Sequence, residues 1–178
     1  MNNQTQERTK GIIINAFIKL LNEKTFLSIS IQDICDEAKV HRSTFYRYFV
    51  DKFELYNQVV NMIVATLYDH ASKNRNHSLV EEVLDYVDAN KALVLNITFK
   101  NESNELYNSI IKMGAKIIHE KASYMDDVIS RKIRESNHPE ILCSFYCSGM
   151  IEVVKQWVNQ EYPYSKNEIV QILNEILA

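Results

Sequence analysis

Turn-forming residues are scarce in this chain, and their scarcity limits the possible folds more than any other feature. Only three glycines and two prolines occur among the 178 residues, whereas sheets built from hairpins need such residues at most of their turns. Apolar residues instead recur at spacings of three and four, which is the period of an amphipathic helix. The sequence therefore predicts an all-α protein of about nine helices, without internal repeats or low-complexity segments.

Four helices are predicted in the first third of the chain, which forms a predicted domain over residues 7–67. Ser30 is a suitable N-cap for the second helix, and Asp33 is placed to bind back to the first amides of that helix. A tight break at Lys39 separates the second helix from the third, and Asp51 caps a long fourth helix.

The rest of the chain, residues 68–178, is predicted to form a second helical domain. Two capping boxes, Ser78 with Glu81 and Ser165 with Glu168, mark helix starts. The helices of this domain are predicted at about 79–90, 91–99, 104–134, 139–159 and from 166 onwards.

The segment "VHRSTFYRYF", residues 40–49, combines four aromatic rings with two arginines. On a helical wheel Phe45, Tyr48 and Phe49 share one face, which suits packing against the preceding helices. The opposite face carries hydrogen-bonding side chains: His41, Arg42, Ser43, Tyr46 and Arg47. The pattern predicts a helix-turn-helix at about residues 30–49, whose second helix would enter the DNA major groove. The alternative is an ordinary surface helix with solvated charges.

The longer stretch "SIQDICDEAKVHRSTFYRYFVDKFELY" resembles the TetR family of bacterial transcription regulators. The family favours a Ser/Thr cap, an Asp-Ile pair and a Tyr-x-x-Phe-x-x-Lys-x-x-Leu run, present here as Ser30, Asp33-Ile34 and the run from Tyr46 to Leu55. The resemblance implies that the first turn of the recognition helix faces bases, while Tyr46, Lys52 and the amide end of the second helix hold phosphates. The predicted DNA-binding residues are Ser30, Gln32, His41, Arg42, Ser43, Thr44, Tyr46, Arg47 and Lys52.

Two residues depart from the family pattern. Lys39 replaces the usual turn glycine, so a residue with a side chain must adopt the backbone conformation of the turn. A positive φ is the candidate conformation, and it costs a non-glycine residue about 1 kcal/mol. His41 replaces the serine or threonine that normally caps the recognition helix, which weakens the cap and places an imidazole where a phosphate or base could lie.

The segment from His138 to Leu173 resembles one C-terminal variety of the same family, which implies a domain that dimerises and holds a small-molecule pocket. An apolar stripe with a glycine, followed by an apolar final helix, would pair about a two-fold axis as a four-helix interface. The predicted interface residues are Ile141, Phe145, Ser148, Gly149, Glu152, Ile169, Ile172, Leu173 and Ile176. The alternative is that this stripe packs inside one subunit.

Candidates for a small-molecule pocket are residues whose size and polarity suit a cavity between the middle helices. They are Tyr86, Phe99, Tyr107, Met113, His119 and Tyr124, and ordinary packing is the competing interpretation for each. Cys143 and Cys147 lie four residues apart on one helical face, but without acidic or histidine partners at useful spacing they are expected to be buried thiols. No catalytic motif, metal site or cofactor is predicted.

The formal net charge is −3, so any basic surface for DNA must be local. Residues 1–56 carry eight basic and seven acidic side chains, while the remainder carries twelve and sixteen. Three scattered cysteines and the absence of an apolar signal core or membrane span predict a cytoplasmic protein.

These features predict a sequence-specific DNA-binding regulator. The first hypothesis is a homodimeric repressor that binds a palindromic operator and is released by an unknown small-molecule effector. The second is a regulator of the same fold without an inducer, either an activator or a protein-partnered form. A helical enzyme or metal protein is the remaining hypothesis.

Overall fold

The computed structural model describes residues 3–73, 79–98 and 104–177. Within these ranges it contains ten α-helices, one short 3-10 turn at Phe26–Ser28 and no strand. The predicted all-α class is confirmed. The helices are α1 Asn3–Glu23, α2 Ile31–Ala38, α3 Arg42–Tyr48, α4 Lys52–Lys73, α5 Leu79–Ala89, α6 Lys91–Ile97, α7 Asn104–Lys121, α8 Val128–Glu135, α9 Pro139–Val158 and α10 Lys166–Leu177.

The chain divides into two compact units, one within residues 1–60 and 92–103 and the other within residues 61–91 and 104–178. Helix α6 therefore contributes mainly to the first unit. The buried Asn96 side chain donates to the carbonyl of Leu21 at 2.9 Å, and the Tyr56 hydroxyl donates to the carbonyl of Ile97 at 3.4 Å. These contacts join segments that are far apart in sequence. The predicted first domain, residues 7–67, did not include α6.

Aromatic side chains form the core of the first unit. Phe17, Phe26, Phe45 and Phe49 are all at most 1% exposed. The ring of Phe26 lies edge-on to Phe17, with centroids 6.2 Å apart, and 4.8 Å from the ring of Tyr56. Burial of such rings is the largest apolar contribution that single residues make to a core. These contacts hold α1 and α4 around the turn at Phe26–Ser28.

Local signals at the helix ends agree with the structure. The Ser30–Asp33 capping box opens α2, with Ser30 in the extended conformation expected of an N-cap. Asp51 accepts from the amide of Glu54 at 2.8 Å at the start of α4. Lys39 has φ 54°, so the positive φ suggested for the turn is confirmed. The predicted Ser165–Glu168 box is also present, with the Ser165 amide donating to Glu168 at 2.8 Å.

The predicted helix over 104–134 is wrong in one respect, because the structure divides it into α7 and α8. Asp127 caps α8 by accepting from the amide of Ser130 at 2.9 Å. The guanidinium of Arg134 donates to the carbonyls of Ala122 and Met125, in the segment between the helices. These bonds satisfy backbone groups at the break, so two shorter helices replace one. Ser78, of the other predicted capping box, lies outside the described residues.

Gly114 has a packing role in the second unit that was not predicted from the sequence. A Cβ added to Gly114 on α7 would lie 2.5 Å from the Sγ of Cys147 on α9, so these helices approach closely there. A Cβ added to Gly149 would meet nothing within 4 Å. The close approach inside the protomer is thus at Gly114, and the surface at Gly149 is open.

Substitution of Gly114 tests the close approach of α7 and α9. Gly11 also lies in a helix but has open space around it, so Gly11→Ala should stabilise the protein by up to about 1 kcal/mol through helix propensity. Gly114→Ala should be less favourable than Gly11→Ala by about 1–3 kcal/mol because its methyl group overlaps Cys147. Urea unfolding measures both, and Cys147→Ala should remove most of the penalty. Equal stabilisation by both alanines would contradict the close contact.

Candidate DNA-binding surface

The start of α2 is a closed network of hydrogen bonds. The Ser30 hydroxyl accepts from the Asp33 amide at 3.1 Å, and the Asp33 carboxylate accepts from the Ser30 amide at 2.7 Å. Hydrogen bonds from the Ser30 hydroxyl and amide, followed by the nearby Lys24, lower the pKa of Asp33 to about 2. Helix geometry leaves the amides of Ile31 and Gln32 without intrahelical acceptors. An anion at this end would therefore meet those two amides rather than Ser30.

Lys52 binds the turn that precedes α2. Its Nζ donates to the carbonyls of Ile29 at 2.8 Å, Phe26 at 3.2 Å and Leu27 at 3.4 Å. The same Nζ lies 4.6 Å from the centroid of the Phe26 ring, and burial lowers the pKa of Lys52. An ammonium group has three donors, and all three are directed to protein carbonyls here. The phosphate contact predicted for Lys52 stays a prediction that requires the ammonium to exchange these partners.

The recognition helix α3 buries one face and exposes the other. Phe45 and Phe49 are buried, whereas Tyr46 is 48% exposed. The other outward residues of the prediction, His41, Arg42, Ser43 and Arg47, are exposed as well, and Thr44 is half-buried. His41 is the N-cap of α3 but makes no side-chain capping bond. The imidazole thus does not serve as the cap that serine or threonine usually supplies.

Arg42 and Tyr46 contact each other across one turn of α3. The Nη2 of Arg42 donates to the Tyr46 hydroxyl at 3.3 Å, and the guanidinium carbon lies 5.9 Å from the centroid of the Tyr46 ring. The Tyr46 ring lies at 90° to the buried ring of Phe45, with centroids 5.5 Å apart. A chain of contacts therefore runs from the core to the exposed guanidinium.

A groove brings four of the predicted DNA-binding residues together: Ser30, Gln32, Arg42 and Lys52 all line it. Its walls also include the apolar side chains of Leu27 and Phe53. The Gln32 side chain is exposed and donates to Asp36 at 2.7 Å. The α2 start and the first turn of α3 thus border one surface feature, as a helix-turn-helix requires.

The predicted dimer residues separate into exposed and buried groups. Ile141, Phe145 and Ile176 are 69%, 71% and 68% exposed, and Ile141 and Phe145 are neighbours one turn apart on α9. Ile169 and Leu173, by contrast, are 1% and 3% exposed and pack inside the protomer. Of the remaining four, Gly149 is exposed, and Ser148, Glu152 and Ile172 are half-buried.

The predicted pocket residues are not gathered at one point. Tyr86, Tyr107 and Met113 are half-buried, His119 and Tyr124 are exposed, and Phe99 lies outside the described residues. The positions of Tyr107 and His119 are about 18 Å apart along α7, given 1.5 Å per residue. The Tyr107 hydroxyl donates to the Glu152 carboxylate at 3.1 Å. Burial and this carboxylate raise the pKa of Tyr107 to about 12.

The cysteines behave as core residues. Cys143 and Cys147 are 1% and 6% exposed, and burial raises the pKa of the Cys147 thiol to about 12, which opposes thiolate chemistry. In the described part of the chain, no group of three His, Cys, Asp or Glu side chains could hold a metal ion. Among those same residues, no helix has both the length and the apolar character needed to cross a bilayer.

Comparison with known proteins identifies the class of regulator. Residues 13–59 match the family described as "Bacterial regulatory proteins, tetR family". Residues 74–178 match the family described as "Transcriptional regulator C-terminal region". The chain belongs to the TetR family. It is therefore a DNA-binding transcription regulator, and the resemblance seen in the sequence is confirmed.

Individual relatives of this TetR-family regulator are distant. The HTH-type dhaKLM operon transcriptional activator DhaS of Lactococcus lactis is 26% identical over 184 residues, which cover 96% of this chain and 89% of the relative. A TetR-family regulator from Syntrophomonas wolfei has a TM-score of 0.70 at 15% identity, covering 96% of this chain and 93% of the other. The solved dihydroxyacetone kinase operon activator DhaS has a TM-score of 0.54 at 21% identity, covering 95% and 93%. The two structural similarities concern the fold.

Removal of the Lys52 ammonium should separate anchoring from phosphate binding. Lys52→Met keeps an unbranched stem but leaves three carbonyls without their donor, so we expect a loss of about 1–3 kcal/mol of unfolding free energy. If the ammonium only anchors the turn, the slope of log K against log salt for DNA should not change. A direct phosphate contact would make the slope shallower by about 0.9. Arg47→Met, on the exposed face of α3, is the control expected to make it shallower.

Proposed function

We propose that this TetR-family regulator works as a homodimer in which α3 of each protomer enters the major groove of a palindromic operator. His41, Arg42, Ser43 and Thr44 occupy the start of α3, the end that normally meets base edges. Tyr46 and the amides that open α2 contact the DNA backbone. The DNA-binding domain in this proposal covers residues 7–67, and residues 68–178 provide dimerisation and response.

One observation carries this proposal. Phe45 on the inner side of α3 and Phe49 at its C-cap are 0% and 1% exposed, so the helix cannot roll without exposing them. Its outer face therefore stays directed to solvent with hydrogen-bonding groups in fixed order. A simple solvated helix needs no such fixed arrangement, whereas a helix that reads base edges does.

The dimer proposal is supported by exposed apolar side chains on the last two helices. Ile141 and Phe145 lie on the face of α9 that also carries the open Gly149, and Ile176 is exposed on α10. Isologous pairing places the same residues on both sides of a two-fold axis. Burial of each large apolar side chain is worth about 1.5–3 kcal/mol. A second copy of the chain thus gives this face a partner of matching chemistry.

Light scattering at micromolar concentration should give twice the 20.8 kDa chain mass. Phe145→Glu should convert the protein to monomer because two carboxylates would be buried near the axis at high cost. Tyr124→Glu changes a residue that is also 74% exposed but lies outside α9 and α10, and should leave the mass unchanged. A wild-type monomer, or a Phe145→Glu dimer of unchanged strength, would contradict the proposed interface.

Selection of bound duplexes from a random library should give a two-fold symmetric consensus. Arg42→Ala should flatten the preference at one position in each half-site, because a bidentate arginine–guanine pair is worth about 1–3 kcal/mol of discrimination. Arg47 lies more than one turn later, so Arg47→Ala should weaken binding without changing the consensus. The reverse result, with Arg47→Ala relaxing the consensus and Arg42→Ala not, would mean that α3 docks differently in the groove.

The effect of binding on transcription has two candidate directions. Repression that is lifted by a small-molecule effector follows from the family resemblance, with Tyr86, Phe99, Tyr107, Met113, His119 and Tyr124 as proposed contacts. Activation is favoured by one specific observation, namely that the relative DhaS, which matches over 96% of this chain, is described as an activator. Transcript levels of the adjacent genes after deletion distinguish the two, because they rise on loss of a repressor and fall on loss of an activator.

A further inference from the structure

Arg42 and Tyr46 form a side-chain contact on the outer face of α3. We propose that Tyr46 is a specificity-determining residue that positions the Arg42 guanidinium for base recognition, in addition to any contact with phosphate. This inference rests on the proposed reading of bases by Arg42. The contact consists of a hydrogen bond of 3.3 Å and a guanidinium that lies 5.9 Å from the ring centroid.

The ordering of Arg42 before DNA arrives has an energetic consequence. An exposed arginine samples many rotamers, and fixing such a side chain at an interface costs about 0.5–1.5 kcal/mol. The hydrogen bond to Tyr46 restricts those rotamers in the free protein. The resulting reduction in the free-energy cost of fixing Arg42 applies only where Arg42 makes an oriented contact. That is the case at its operator base pair and not on random DNA. Tyr46 therefore affects sequence preference and not only affinity.

Tyr46 is able to position Arg42 because it is itself held. Its ring lies edge-on to Phe45, which is fully buried, with centroids 5.5 Å apart. Tyr46 itself is 48% exposed, so its hydroxyl lies near the surface that would meet DNA. Tyr46 therefore has a ring held against the core and a hydroxyl near the surface, which suits it to hold the neighbouring Arg42 side chain.

The hydrogen-bonding capacity of the pair allows both roles together. The Tyr46 hydroxyl accepts from one N–H of Arg42, and its own proton remains able to donate to a phosphate oxygen. Arg42 has five N–H donors, so the fork that faces guanine O6 and N7 does not need the one given to Tyr46. One tyrosine can thus connect a backbone contact to a base contact.

A double-mutant cycle tests this coupling on duplexes that carry the selected consensus, on the same duplex with the Arg42-dependent base pair replaced, and on random duplexes. The quantity measured is the ratio of Kd values for the replaced and consensus duplexes. Tyr46→Phe should lower that ratio by about two- to tenfold, and it should have no further effect in the Arg42→Ala background. Tyr48→Phe is the matched control, since it removes a buried hydroxyl from the inner side of the same helix.

Three outcomes would be distinct. A fall in the Kd ratio with Tyr46→Phe that is absent in the Arg42→Ala background supports the inference. Equal loss on all three duplexes, with Arg42→Ala still flattening one position, would overturn it and leave Tyr46 as a phosphate contact alone. If Arg42→Ala alters no position, the proposed base contact fails, and the inference fails with it. Thermal unfolding of Tyr46→Phe should match the wild type, which excludes a folding effect.

Discussion

The packing around Phe26 is the interaction on which the DNA-binding unit depends. Its ring is fully buried and contacts Phe17 of α1 and both Phe53 and Tyr56 of α4, with centroids 4.8–6.2 Å apart. The ammonium of Lys52 lies over the same ring and donates to the carbonyls of Phe26 and Ile29. One aromatic side chain and one lysine thus fix the turn from which α2 begins, and the direction of α2 determines where α3 is presented.

Local features of this unit could be predicted because their causes are local. Ser30 with Asp33 and the Lys39 turn depend on residues within one helical turn, and each is found as expected. The two faces of α3 follow from helical periodicity around Phe45. The engagement of Lys52 with residues 23 to 26 positions earlier could not be inferred from sequence, since it depends on how α4 returns to the turn before α2. Helix α6 joins this unit for the same kind of reason.

In the second unit, the sequence showed which residues are apolar but not what each one packs against. Periodicity gives the same pattern whether a stripe packs inside one chain or against a second copy. Exposure shows which of these residues pack inside the chain, because Ile169 and Leu173 are buried within the protomer while Phe145 remains exposed. The glycine with a close neighbour is Gly114 rather than Gly149, a distinction that requires the positions of α7 and α9. The break before α8 depends on Asp127, which caps that helix. The residues on both sides of Asp127 favour helix, so the sequence did not indicate the break.

We propose that the first turn of α3 reads guanine in the major groove, once in each half of a two-fold site. Methylation interference tests this most directly, because dimethyl sulfate methylates guanine N7, one of the two acceptors that a bidentate arginine uses. We expect methylation at one guanine in each half-site, symmetrically placed, to prevent binding of the wild-type protein. Interference at adenine N3 in the minor groove alone, or no interference at guanine N7, would contradict the claim.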